Sequence, residues 1–399
     1  MTDINSKLFF LCTGRIQLDE IKEKEEDESF IYKYALKHRL LDSLVSINPM
    51  FFNNNTSKLI RSEKAKKERC FLDVMNSFNQ ASINYICLKG LAMKKYYPKN
   101  LDRQSNDYDL LVKELNDFWK AHVILLKKGY TLENYPYATN NTGNICGVAS
   151  YRKITSSFMV DIEINIGGFP LSECTWLVEP LLWSTNQTLV INEEIIHIPS
   201  DEFNMIILIA EVGTNGKKRI RDAVDFYYLS QSGYDTQFVD DFLKKLKLKK
   251  AEKVLINMLV QLEQNTFKNS KTGLINELYY RFRTDLYHII PTYRSSNIIA
   301  RIVNHYVRLV LITLVQKDFL LNQLIYFNKF VHPTLYLKLG LPVYLIQLDM
   351  NKHAFQLLTK GSVLIVKTPI GTFMASSLCL NREEDFEIAH NASNSRRDT

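Results

Sequence analysis

The sequence predicts an α+β (mixed α/β) fold, and three observations carry that prediction. Short apolar runs of strand length, residues 83–88, 107–112 and 158–164, alternate with stretches of helical spacing. Helical periodicity alone then runs from about Pro199 to Leu341, and strand-like texture returns only after that point. The architecture expected is a mixed β-sheet core with N-terminal helices, a helical C-terminal region and a small terminal β module. The corresponding boundaries are 1–82, 83–200, 201–340 and 341–380, with a polar tail over 381–399 that we expect to be disordered.

The elements follow in order. A charged stretch over 18–28 leads into Phe30, Tyr34, Ala35, His38, Leu41 and Val45, whose spacing predicts one amphipathic helix ending near Asn48-Pro49. A second helix is expected to run to about Ser82, with Leu59, Phe71, Leu72, Met75 and Phe78 on its buried side. The run 83–88 stops at Lys89-Gly90, where the glycine suits a tight turn from strand into a helix over 91–97 that Pro98 ends. Asp107 to Val112 is the second strand, followed by a helix over about 115–128, the stop Gly129-Tyr130 and a third strand over 158–164 before Gly167-Gly168. Ser200 caps an apolar helix over 203–212, and Gly213-Thr214-Asn215-Gly216-Lys217-Lys218, which lacks the full pattern of a phosphate loop, is expected to be its C-terminal turn. The five lysines of 244–250 are expected on a solvated helix face, and strands are expected at 342–346, 362–367 and 372–380.

Composition restricts the function classes. The 399 residues are 46% hydrophobic and 12% aromatic, with 14 Gly and 10 Pro, an ordinary globular balance. Fifty basic against 43 acidic side chains leave +7, which a whole surface can share, so a nucleic-acid partner is not expected. The longest apolar runs fall short of the ~18 residues that span a bilayer, and the N-terminus lacks the order of a secretory signal. The six cysteines form no C-x-x-C pair and the histidines no zinc-binding spacing, which points to reduced thiols in a cytoplasmic protein.

Chemistry concentrates at Asp107-Tyr108-Asp109. Side chains at i and i+2 of a strand share a face, so both carboxylates project together. Two such anions destabilise each other unless a cation sits between them, and oxygen ligands suit a hard divalent ion. A further carboxylate from a neighbouring strand would complete the set, and Asp161 in Val160-Asp161-Ile162-Glu163 supplies it. Glu163 shares the face of Asp161 and is either an additional ligand or part of a rim salt bridge. A lone D-x-D also arises by chance at turns; the order strand, Lys89-Gly90 turn, helix, D-x-D strand and later Asp161 strand sets this one apart.

With Cys87-Leu88-Lys89-Gly90-Leu91-Ala92, Tyr96-Tyr97-Pro98, Arg103, Asp107-Tyr108-Asp109-Leu110-Leu111-Val112 and Gly129-Tyr130, the chain resembles the uncharacterised nucleotidyltransferase family of the polymerase-beta-like superfamily. The resemblance is strongest over 85–130 and extends more weakly over about 30–230. It departs at two places: Glu163 stands where members commonly carry the histidine of V-D-L-H, and Ala210-Glu211 where an L-x-x-H helix is usual. The resemblance implies transfer of a nucleoside monophosphate from a nucleoside triphosphate, such as ATP, with pyrophosphate leaving, and Mg2+ or Mn2+ as cofactor. It implies that Asp107, Asp109 and Asp161 bind metal and carry catalysis. Lys89, Gly90 and Arg103 are its candidates for the triphosphate, with a structural salt bridge the alternative for Arg103. The acceptor is a small molecule, a peptide or a protein. The alternative function is a catalytically weak or inactive binding protein on the same fold, prompted by the two missing histidines.

Overall fold

The computed structural model describes residues 4–16, 28–49, 51–105, 107–141, 144–166, 175–215, 219–246, 248–267, 343–349, 353, 356–360, 363–368, 371–376, 387–389 and 391. The expected helical continuation over 268–342, the glycines 167–168, residues 216–218 and most of the tail lie outside the described residues. The chain divides into two compact units, one of Met1–Glu133 with Ser150–Asn269, the other of Asn134–Ala149 with Ser270–Thr399. The first mixes strands and helices and the second is described chiefly by strands, so the fold is α+β.

In the first unit the helices α1 (Ile4–Cys12), α2 (Glu28–His38) and α3 (Leu41–Ile47) precede the long α4 (Asn54–Gln80). The single helix expected over about 30–48 is broken between α2 and α3. Arg39 takes a left-handed backbone (φ 57°), and the Leu40 N–H returns to the Ala35 carbonyl at 2.8 Å, which ends α2. Helix α4 starts where the Asn53 side chain accepts the Thr56 N–H at 2.9 Å. Its C-terminal half buries Phe71, Leu72, Val74, Met75 and Phe78, whereas Leu59 is 57% exposed, contrary to the sequence expectation. The first half of α4 is too charged to seat an apolar face on the sheet.

Strand β1 (Tyr85–Leu88) pairs antiparallel with β2 (Asp107–Val112), and β2 pairs parallel with β5 (Met159–Ile166). Helix α5 (Leu115–Lys127) lies in the crossover between them, together with β3 (Thr131–Asn141) and β4 (Asn144–Ile154). Strand β4 follows β5 in the sheet, through the part that belongs to this unit. Neither β3 nor β4 is legible in the sequence, because Asn-rich segments with Pro136 and Gly147 show no apolar alternation. The helix expected over 91–97 is only a 3-10 turn, Ala92–Lys95.

Helix α6 (Thr175–Ser184) leads to the hairpin β6 (Gln187–Ile191) and β7 (Glu194–Ile198), also absent from the sequence reading. Its two turn residues, Asn192 and Glu193, have φ of 48° and 71°, which suits a two-residue hairpin loop. Helix α7 (Asp201–Asn215) continues through Gly213, where a turn was expected, and α8 (Ile220–Leu229), α9 (Thr236–Lys245) and α10 (Lys249–Glu263) complete the unit. The lysine cluster straddles the gap between α9 and α10, and Lys244 and Lys249 both reach the Asp240 carboxylate.

Among the described residues, two apolar clusters hold this unit. One joins α1, α2 and α3 to α8 and α10 through Phe9, Leu44, Val224 and Met258. The other joins Ile86, Leu88 and Leu111 of the sheet to α7 and α10 through Phe203, Ile207 and Leu255. The opposite sheet face meets α4, where the Phe71 and Tyr108 rings stack at 4.0 Å and 9°. The second unit carries the strand order β3, β8 (Val343–Asp349), β11 (Gly371–Ser376), β10 (Val363–Thr368), β9 (Gln356–Lys360), all antiparallel where paired. Ile346, Val363, Ile365 and Met374 form its core. Among the described residues no helix is long and apolar enough to cross a membrane.

Two buried histidines make stability pH-dependent. Burial holds His38 and His122 down at about 4, with Lys37 and Arg219 adding to the effect at His38. The unfolded chain, near 6.5, therefore binds protons that the folded chain refuses. Each histidine contributes stability that is full above the unfolded value and is lost as pH falls from there through about 4. His122, with Nδ1 at 2.7 Å from the Tyr151 hydroxyl, offers the cleaner test. His122→Gln should lose roughly 2 kcal/mol less than the parent chain between pH 7 and pH 5, read by urea unfolding at both pH values.

Candidate active site

The site is built on the in-register pairing of β2 and β5. Asp107 lies opposite Asp161 and Asp109 opposite Glu163, and paired residues of parallel strands share a sheet face. Four carboxylates therefore line one face of two neighbouring strands. Asp107 is exposed at the strand's start, while Asp109 is 7% exposed and Asp161 and Glu163 are half-buried.

Lys89 follows β1 in a left-handed conformation (φ 52°), a costly backbone for a residue with a Cβ. The strain expected of Gly90 falls on Lys89 instead, and it aims the ammonium at Asp109, with Nζ 3.4 Å from Oδ2. Gly90 serves a close approach. A Cβ there would strike the Ser105 Oγ, whose hydroxyl donates to the Asp107 carbonyl at 2.9 Å.

Charge around these groups is mixed and tightly packed. Burial pushes the Asp109 carboxyl up to about 7; Lys89 opposes this, and Asp107, Glu163 and Glu211 reinforce it. Burial also disfavours the Lys89 ammonium, but Asp109, Glu211, Glu163 and Asp107 outweigh it and hold its pKa above the usual lysine range. Glu211, brought in by α7, is disfavoured by burial yet held below the usual carboxylate range by Lys89 and by Arg221, Arg103 and Arg219. Arg39 is pulled down to about 10, by burial first and then by Arg221 and Arg219, with Asp107 and Glu211 opposing. Its Nη1 stands 3.9 Å from Asp107 Oδ1. Arg221 is itself bound to Asp222 at 3.1 Å.

The predicted site residues separate into two groups. Asp107, Asp109, Lys89 and Gly90 are brought together. Arg103 directs its Nε and Nη2 into a bidentate pair with Asp225 of α8, both at 2.7 Å, with both side chains buried, while its Nη1 has no hydrogen-bond partner among the described residues. Tyr97 donates to the same carboxylate at 2.6 Å. This is the salt-bridge alternative, and its effect is to fix the loop that enters β2. Asp161 lies on the correct face, but its carboxylate accepts from Arg152 of β4, at 2.7 Å from Nε and 3.3 Å from Nη2.

Arg39, Glu211, Arg219 and Arg221 are the neighbours that sequence reasoning missed. The one available signal for Glu211 was an acid at an expected histidine position.

The donors fit a hard divalent cation in chemistry, since all are carboxylate oxygens, and burial with the neighbouring acids raises the Asp109 carboxyl despite Lys89. Their spacing is looser. Among the described residues no group of three or more acids, histidines or cysteines closes on one point as a ligand set.

The family of uncharacterised nucleotidyltransferases matches this chain over residues 54–266, which spans β1, β2, β5 and α7. The chain belongs to that family. No curated protein matches it. Among solved structures, the chain is similar to an antigenic nucleotidyltransferase-like protein from Paracoccidioides brasiliensis, at 15% identity and a TM-score of 0.32, over 49% of this chain and 89% of that one.

Two substitutions test the architecture. Breaking the buried pair with Asp225→Asn leaves Arg103 uncompensated and should cost about 3 to 5 kcal/mol in unfolding free energy. Gly90→Ala must displace Ser105 and should lose about 1 to 3 kcal/mol of stability; an unchanged melting temperature would show that Ser105 moves freely.

Proposed function

We propose that this protein is a metal-dependent nucleotidyltransferase that moves a nucleoside monophosphate from a nucleoside triphosphate to an acceptor, with release of pyrophosphate. The observation that carries the reading is the face on which Asp107 and Asp109 meet Asp161 and Glu163 in register, bordered by Lys89 and Arg39. Asp107 and Asp109, with an acid from β5, are the residues to hold Mg2+ or Mn2+. Bound there, such an ion supplies neutralisation of charge on the reacting phosphate and on the leaving pyrophosphate.

The chain's own groups do the rest. Lys89, Arg39 and Arg219 would meet the triphosphate oxygens, with Gly90 allowing the close approach of backbone. Arg103 acts at one remove, through Asp225 and the loop into β2. Asp161, once exchanged from Arg152, would take the acceptor's hydroxyl proton as the acceptor oxygen bonds to the α-phosphorus and the bond to pyrophosphate breaks. Free Cys12, Cys70 and Cys87 suit a reducing, cytoplasmic setting. The acceptor is a small molecule, a peptide or a protein.

The second reading, a weak or inactive member that binds nucleotide without turnover, draws on one observation. Lys89 and Arg152 already neutralise Asp109 and Asp161. Pyrophosphate release from ATP with Mg2+, followed while acceptors from a cell extract are supplied, separates the two. The Asp107→Asn, Asp109→Asn double variant should lose about 1000-fold in turnover, equivalent to roughly 4 kcal/mol. Equal turnover by parent and double variant rejects the transferase assignment.

A further inference from the structure

A cavity of ≈ 430 Å³ opens beside the candidate active site, in the size range of small-ligand pockets. Its wall includes Gly90, Ser105 and Asp161, so it adjoins the acidic face. Helix α3 forms another part of the wall and is tied to the loop that enters β2. The Leu41 N–H donates to Gln104 Oε1 at 2.8 Å, the Ser43 hydroxyl donates to the Asp102 carbonyl at 2.6 Å, and the Asp102 N–H donates to Ser46 Oγ at 2.8 Å. A ligand resting on α3 would therefore stand on the scaffold that positions Asp107.

Charge pairing within the cavity leaves one acid over. Lys64 pairs with Asp102, Lys94 with Glu68 at 2.9 Å, and Lys67 with Glu63 at 4.0 Å. Arg103 and Asp161, also on the wall, are taken by Asp225 and Arg152. Asp42, in the first turn of α3, faces the cavity, and no hydrogen bond or ion pair to its carboxylate is present among the described residues. The Asp42 side chain is half-buried, and burial pushes its carboxyl up to about 7 although Lys64 and Lys67 act in the opposite sense. A partly desolvated carboxylate facing a cavity is a natural partner for a cation that enters it.

The same cavity gathers exposed apolar side chains. Leu36, Leu59 and Met159 are 51%, 57% and 41% exposed, and all three line it, with Tyr108 and Leu91 beside them. Exposed leucines cost nothing unusual singly, but their grouping around one acid describes an amphiphilic receptor: apolar surface for a hydrocarbon stem and a carboxylate for its charged end.

We propose that this cavity is the acceptor site and that it selects an alkylammonium-bearing acceptor, whose cation pairs with Asp42 and whose stem packs on Leu36, Leu59 and Met159. The proposal rests on the transferase reading for the word acceptor, but the binding it describes needs no turnover.

Binding is therefore measured by isothermal titration of the full chain without nucleotide. The probes are acetyl-seryl-lysine amide, its Nε-acetylated form, its glutamate counterpart, and spermidine as a non-peptide source of the same cation. The lysine peptide, spermidine or both should bind, and which of them does so separates a peptide from a free amine as the source. The acetylated and glutamate peptides should bind at least about tenfold more weakly, as loss of a charge-assisted pair implies. Asp42→Asn should weaken the ammonium probes by a similar factor, and Leu59→Ser should weaken them with charge unchanged. The comparison among probes on the unaltered chain holds even if Asp42→Asn fails to fold. Equal binding of charged and acetylated peptides, or no binding of either ammonium probe, overturns the proposal. A parent chain that binds the ammonium probe but releases no pyrophosphate from ATP with Mg2+ counts against the transferase reading alone.

Discussion

The parallel pairing of β2 with β5 is the constraint on which the rest of this molecule turns. Its register sets Asp107 beside Asp161 and Asp109 beside Glu163, and four acids on one face cannot be held without compensation. The surrounding structure supplies it from several directions. Lys89 reaches across from the end of β1 at the expense of a left-handed backbone, Arg152 comes from β4, and Arg39 comes from the break between α2 and α3. Arg39 and Lys89 both take a left-handed backbone, and both carry a cation to these acids.

A second layer of charge holds those donors in place. Arg103, Arg221, Asp222 and Asp225 form a buried group, with Arg103 in bidentate contact with Asp225 and Arg221 bound to Asp222 at 3.1 Å. Such pairs add little net stability over well-packed apolar residues, but they penalise misplacement strongly. Their effect here is positional: α8, which also buries Val224 against the N-terminal helices, is locked to the loop entering β2. The apolar clusters bring the elements together, and the ion pairs define how the loop is set.

Legibility in the sequence followed the range of the interaction. The D-x-D strand, helix α5 and the start of α7 were readable, because period-2 and period-3.6 patterns and the polar Ser200 are local properties. Strands β3 and β4 were not, since nothing in Thr131–Asn141 marks it as strand until a partner supplies hydrogen bonds. The break at Arg39 was also hidden, because the apolar spacing of Tyr34, Ala35, His38 and Leu41 continues through it. Leu59 was misplaced for the converse reason: helical spacing says which residues share a face, but not how far along a helix the core extends.

The sequence by itself determined the fold class, the family and the list of acids able to share a strand face, because these depend on residue types at short, fixed spacings. The tertiary structure alone decided where each charge goes. It sent Arg103 to Asp225, 122 residues away, turned Asp161 to Arg152, brought Arg39 and Glu211 to the acids, and set Asp42 on the cavity wall. Charges pair through space after the core has fixed the backbone, so their partners are set by packing that no local pattern encodes.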